Sequence, residues 1–268
     1  RLLALAGPCQ SLVSDRGGPR GPGWAQGRGP CVQIKLSCGA VASPSRRSVH
    51  SSLIQLERDI HDCTKCPRLI KWCTKVAKDK RAAYTDDEYW GKPVSGFGDP
   101  LARILVVGLA PGAHGANRTG RVFTGDRSGE WLFRALHKAG LANQPQSLAR
   151  GDGLQLKGAW VTVAVRCAPP QNKPSPIEKK RCAPYLAREI EALSQVRVIV
   201  CLGAIALQSV CDLLEISPRP KFAHGAVFKT KSATIVCSYH PSQQNTFTGK
   251  LTEKMLDTVF AKAVRLAG

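Results

Sequence analysis

Short apolar runs rich in β-branched residues recur along the chain, and the segments between them carry the spacing of helices. ARILVVGL at 102–109, AWVTVAVR at 159–166 and VRVIVCLG at 196–203 read as buried strands, and residues 226–239 as a hairpin or paired strands ending at Tyr239. A helix is expected from near Ser128, with Leu132, Leu136 and Ala139 on one face. Another is expected over 176–193, opening after a Pro-rich turn and carrying Ile177, Leu186, Ile190 and Leu193. AIALQSVCDLL follows the third strand, and an amphipathic helix covers 250–266. Leu53, Leu56 and Ile60 mark a short helix ending near Cys63, and residues 84–100 read as an extended loop. Strands that alternate with helices fold as a mainly parallel sheet covered on both faces. Ligands of such sheets bind outside the carboxyl ends of the strands. The loops after Leu109 and Tyr239 both lie there.

Residues 1–52 are rich in Gly, Pro, Ser and Arg, with little periodicity, and read as a disordered or non-native extension. They have the Arg/Ser bias of a transit peptide without a clear amphipathic helix. The folded domain is expected over 53–268. The net charge is +20, of which residues 1–52 supply +6 and the remainder +14. A basic excess spread through the domain favours a polyanionic partner, with nucleic acid first and an anionic membrane surface second. No stretch approaches the ~18 consecutive apolar residues of a membrane span, so a soluble protein is expected.

Eleven cysteines are present. The odd number argues against a disulfide framework. Cys201 and Cys237 sit in apolar runs and read as core thiols. Cys63 and Cys66 form a C-x-x-C pair at a helix end or turn, and Cys167 and Cys182 bracket the loop APPQNKPSPIEKKR. Four such thiolates suit either zinc or an iron–sulfur cluster, or are simply buried thiols. Cys73 lies nearby as a possible decoy.

The loop GLAPGAHGANRTGRVFTGD at 108–126 has glycines that let backbone N–H groups approach a ligand. It is neither a Walker P-loop nor a dinucleotide fingerprint. Phe123 is placed to stack on a base, or to plug the core beneath the loop. Asp126 is placed to orient water, and equally to cap the following helix. His240, at a strand end before Pro241 and polar residues, does not read as a core histidine. Asn172 stands in a Pro-rich loop beside Cys167.

GLAPG at 108–112, GRVFTGD at 120–126, RCAPPQN at 166–172 and HPSQQN at 240–245, with four cysteines in order, resemble the family 5 uracil-DNA glycosylases. The resemblance covers most of residues 53–268. It implies a three-layer αβα sandwich around a mainly parallel four-stranded sheet. It implies a [4Fe–4S] cluster on Cys63, Cys66, Cys167 and Cys182. It also implies hydrolysis of the N-glycosidic bond of uracil, and of other deaminated bases such as hypoxanthine, in DNA, leaving an abasic site. Leu109 stands where family 4 enzymes carry an acid. Tyr239 and the residues before it lack the basic run of the DNA-crosslinking relatives.

On this resemblance His240 donates to the base carbonyl, and Asp126 and Asn172 position water and stabilise the sugar cation. Phe123 stacks on the base, and Gly108, Ala110 and Gly112 hold its edge. Asn245 supports His240 or the substrate backbone, while Ser242 and residues 248–250 meet phosphates. A cytoplasmic, nucleoid-associated monomer acting on DNA is expected, with no membrane partner and a sliding clamp left open. The alternatives are a non-enzymatic iron–sulfur or zinc DNA-binding module, and a family 4 type enzyme restricted to uracil.

Overall fold

The computed structural model describes residues 46–268. Two helices, α1 (Arg46–His61) and α2 (Pro67–Asp79), precede the sheet. The strands are β1 (Phe97–Gly98), β2 (Ile104–Gly108), β3 (Ala159–Val163), β4 (Val198–Leu202), β5 (Val227–Lys229) and β6 (Thr234–Ser238). They form one sheet in the order β1-β3-β2-β4-β6-β5. The middle four are parallel, with Val106 opposite both Val161 and Val200, and Val200 opposite Val236. This is the expected four-stranded parallel core. Each edge gains a short antiparallel strand, β1 against β3 and β5 against β6.

Successive residues of a strand point to opposite faces, and here both faces are apolar. Ile104, Val106, Val161, Val200 and Val236 pack on α4 (Arg127–Lys138) and α8 (Glu253–Ala267), through Leu132, Phe133, Leu136, Val259 and Phe260. Leu105, Val107, Ile199, Cys201, Ile235 and Cys237 face the other way. They pack on α1, α5 (Pro176–Ala192) and α6 (Ala204–Leu213). The result is an αβα sandwich of three layers. Cys201 and Cys237 are core thiols, as expected.

The helix expected from Leu53 begins at Arg46, so the boundary at residue 52 moves back into the charged stretch. The reason is Val49, four residues before Leu53, which is buried with it against the sheet. The rest of the proposed extension, residues 1–45, lies outside the described residues. Helix α2 was not among the expected elements, although Pro67 starts it and Leu69, Cys73 and Val76 repeat along its buried face. The loop expected over 84–100 contains β1. Strand β3 ends at Val163, but Ala164 and Val165 still donate to Gly108 and Leu109 carbonyls at 3.0 and 2.9 Å. The ends of β2 and β3 therefore stay paired as they enter the site. Among the described residues no helix is long and apolar enough to cross a membrane.

Candidate active site

The site forms where β2, β4 and β6 end. Beyond β2 the chain makes the glycine-rich loop and a short helix, α3 (Ala116–Thr119), before returning under itself to α4. Arg118 clamps this loop. Its guanidinium donates to the His114 carbonyl at 2.8 Å and to the Gly125 carbonyl at 2.9 Å, pairs with Asp87, and lies 4.0 Å over the Tyr84 ring. Asn117, fully buried, donates to the carbonyls of Ala113 and Cys73, joining the loop to α2.

Phe123 has a left-handed backbone, φ +53°. A bulky residue holds such a conformation only where the surroundings impose it. Its ring lies so close to Gly108 that a Cβ there would meet Cζ at 2.5 Å. On its other side stands His240, with centroids 5.9 Å apart and planes 29° apart. Phe123 thus has both expected roles: it is 7% exposed and packs in the core, and it also forms the wall of the His240 site.

Asp126 is the N-cap of α4 and accepts from the Gly129 N–H at 3.0 Å. Its free oxygen reaches back beneath the loop. A Cβ on Gly115 would lie 1.9 Å from Oδ2, and one on Gly112 2.8 Å. The carboxyl is recessed, with an edge still open. Burial raises its pKa above the usual aspartate value, against the pull of the Gly129 and Ser128 N–H groups.

His240 follows β6. Asn245, on α7 (Gln243–Phe247), donates from Nδ2 to the His240 carbonyl at 2.9 Å. Ser242 caps that helix by accepting from Asn245 N. Gly203, at the end of β4, puts only backbone beneath the imidazole, where a Cβ would approach His240 Cβ at 3.6 Å. Burial pushes the imidazole pKa down to about 4, so the ring is neutral at pH 7.

Two expected residues stand apart from this group. Asn172 is exposed, and its side chain makes no hydrogen bond to Asp126 or His240. It and Gln171 are consecutive residues with φ near +55°, at +57° and +54°. This strained pair projects the side chains from the loop. Ala110 packs against the cysteine-bearing cluster, away from Phe123.

The cysteines gather one layer behind. Cys66 caps α2, Cys63 precedes it, Cys167 follows β3 and Cys182 lies on α5. All four border one cavity of about 300 Å³, shared with Lys65, Arg166 and Arg181. The Arg166 N–H donates to Cys182 Sγ at 3.2 Å. Cys73 is fully buried beside them, its thiol donating to the Ala168 carbonyl. A larger cavity of about 590 Å³ lies between α1 and the β1 edge, remote from these loops, and contains none of the expected site residues.

A family model described as the uracil DNA glycosylase superfamily matches residues 95–264, which span every one of these loops. The chain belongs to that superfamily. A type-5 uracil-DNA glycosylase of Mycobacterium leprae is 50% identical over 221 residues, 81% of this chain and 96% of the relative. One of Thermus thermophilus is 51% identical over 209 residues, 77% and 94% of the two chains. A type-4 uracil-DNA glycosylase of Archaeoglobus fulgidus is 30% identical over 197 residues, 71% and 82%.

In this uracil DNA glycosylase superfamily member, two working residues carried no signal when read singly. Arg118 and Asn117 sit in the stretch ANRT, where an arginine reads as surface charge and an asparagine as a turn residue. Their role shows only once the loop has folded around them.

Proposed function

We propose that this protein is a type-5 uracil-DNA glycosylase. It hydrolyses the N-glycosidic bond of uracil in DNA and leaves an abasic site. The observation that carries this is the stacked Phe123–His240 pair, backed by Gly108, with the recessed Asp126 carboxyl beneath the same loop. An extruded base stacks on the Phe123 wall, and the uncharged imidazole donates to a base carbonyl as negative charge develops there. Asp126, ionised at neutral pH despite its raised pKa, faces the positive charge on the sugar and orders the attacking water. Asn172 reaches the substrate from its exposed turn and meets it only when DNA is bound.

The substrate range extends to other deaminated bases such as hypoxanthine. Leu109 and Ala113 put no polar side chain at the loop that would reject them. The type-4 reading is disfavoured, because the type-4 relatives share 30–32% identity and the type-5 relatives 43–51%. The enzyme acts as a monomer on nucleoid DNA in the cytoplasm. Its bacterial and archaeal relatives support that reading.

Cys63, Cys66, Cys167 and Cys182 would hold a [4Fe–4S] cluster. The donor set is all thiol, and Lys65, Arg166 and Arg181 bring positive charge to balance thiolates. Among the described residues no three His, Cys, Asp or Glu side chains converge on one ion position. The thiols surround a space, which suits a four-iron cube better than a zinc ion. The cluster supplies order, tying β3, α5 and the α1–α2 junction together behind the Asn172 loop.

The test is release of free uracil from a uracil-containing duplex under single-turnover conditions. We expect rapid release by the wild type and loss of most of it in His240→Ala and Asp126→Ala. Wild-type rates in both variants would overturn the site assignment.

A further inference from the structure

The segment 147–152, SLARGD, is an exposed loop between α4 and β3, and its backbone is fixed by more bonds than a connection needs. Asp152 is the hub. Its Oδ2 accepts from Leu148 N at 2.8 Å and Ala149 N at 3.3 Å, and its Oδ1 from Leu154 N at 3.1 Å. Arg121 pairs with the same carboxylate at 2.7 Å and also reaches Ser147 Oγ at 2.8 Å. Burial alone would raise the Asp152 pKa, but Arg121 and the N–H groups outweigh it and hold it at about 2. What this frame displays is apolar. Leu148 is 61% exposed at the tip, beside the exposed Arg150.

The loop is also stitched to the catalytic segment. Ser147 Oγ lies 2.7 Å from Thr124 Oγ1, and the Ser147 carbonyl accepts from Gly125 N at 2.9 Å. The Leu148 carbonyl abuts Gly125, where a Cβ would meet it at 3.3 Å. Gly125 immediately precedes Asp126. On the other side of Asp126, Arg127 lies 4.8 Å over the ring of Phe247, the most exposed of the large apolar residues at 69%. Residues before and after the recessed carboxylate therefore each touch a segment with an outward apolar side chain.

A lone exposed leucine is ordinary on a protein surface. A leucine on a rigid, basic finger joined by two hydrogen bonds to the base-stacking segment is placed for contact. Proteins that unstack DNA do so with such apolar wedges. We infer that the 147–152 finger is a duplex-contacting element, with Leu148 pressing on the base pair beside the nucleotide that enters the Phe123–His240 site. This rests on the base-excision reading. Arg150 supplies the charge for the neighbouring phosphate. Single-stranded substrate has no stacked pair to displace, so Leu148 acts on the duplex alone.

The experiment compares kcat/KM for uracil release from a duplex and from a single-stranded oligonucleotide of the same sequence. Leu148→Ala should lower the duplex-to-single-strand ratio about tenfold, and Leu148→Met should restore it. Asp152→Asn, which loosens the frame without touching Leu148, should lower the ratio in the same direction. A duplex with 2-aminopurine next to the uracil should show less unstacking on binding Leu148→Ala than on binding wild type. A ratio and a fluorescence change both within about twofold of wild type for Leu148→Ala would overturn the inference and leave the glycosylase reading standing. No uracil release by wild type from either substrate would overturn both.

Discussion

The His240 imidazole faces the Phe123 ring at 5.9 Å, with 29° between the planes. One residue ends β6 and the other stands in the loop after β2, so two chain segments 117 positions apart build one wall. Gly108 and Gly203 make this possible by leaving backbone where side chains would intrude. The enclosure that brings the rings together also removes water from the imidazole, and its pKa drops to about 4.

The sign of that shift makes a prediction. A histidine with a depressed pKa stays neutral until the pH falls through the lowered value. Uracil release should therefore show no inflexion near the ordinary imidazole value of about 6.5 and should fall only towards about pH 4. The measurement is a pH profile of kcat/KM, alongside the imidazole ¹⁵N shifts. An inflexion near 6.5 that disappears in His240→Gln would show that the charged ring is the working form.

Gly115 gives a sharper test of Asp126. Its φ is −98°, so no left-handed backbone demands glycine there. The demand comes from space, since a Cβ would lie 1.9 Å from Asp126 Oδ2. Gly115→Ala should expel the carboxyl and lower the single-turnover rate by roughly 100-fold, as far as Asp126→Ala. The double variant should be no slower than either single one, because both remove the same interaction. Additive losses would place the role of Gly115 elsewhere.

How far the sequence disclosed this differs by element. The four parallel strands were legible because both faces are buried, so each strand is an unbroken apolar run such as ILVV. The edge strand β1 was hidden in a loop: two residues with a glycine carry no period. Helix α2 has a readable spacing, but its cysteines drew the eye to ligand chemistry. Among site residues, Asp126 and His240 were legible from their places at strand and helix ends. The separation of Asn172 from them was not. It depends on two successive left-handed residues, Gln171 and Asn172, and neither is the glycine that would announce such a turn.

Loss of the proposed cluster should act on order before chemistry. Its ligands come from the α1–α2 junction, the end of β3 and α5, so their union closes loops of very different length. Cys182→Ser, purified without oxygen, should contain less iron than wild type, lose its thiolate-to-iron absorption and expose the 168–181 loop to protease. An iron-free wild type with that loop fully protected would remove the cluster from the account.

Behind the cysteines lies the least exposed ion pair of the described residues. Arg166 and Glu189 are each 1% exposed. Arg166 Nη1 donates to Glu189 Oε1 at 3.1 Å, and Thr162 Oγ1 donates to Glu189 Oε2 at 2.7 Å. Trp160 Nε1 adds a longer contact at 3.4 Å. Arg166 precedes Cys167, and its N–H holds Cys182 Sγ. Glu189 lies two turns beyond Cys182 on α5. The pair therefore fixes the β3 end to the helix that carries the fourth cysteine. Removing one partner strands a buried charge, so Arg166→Met or Glu189→Leu alone should cost about 3–5 kcal/mol of stability. The double variant should recover much of that loss, because neither charge is then left alone. If the pair also positions the cysteines, iron content should stay low in the refolded double variant. Denaturant titration gives the first quantity and iron per chain the second. Recovery of stability with full iron would make the pair a packing feature, and recovery without iron would make it the brace of the cysteine site.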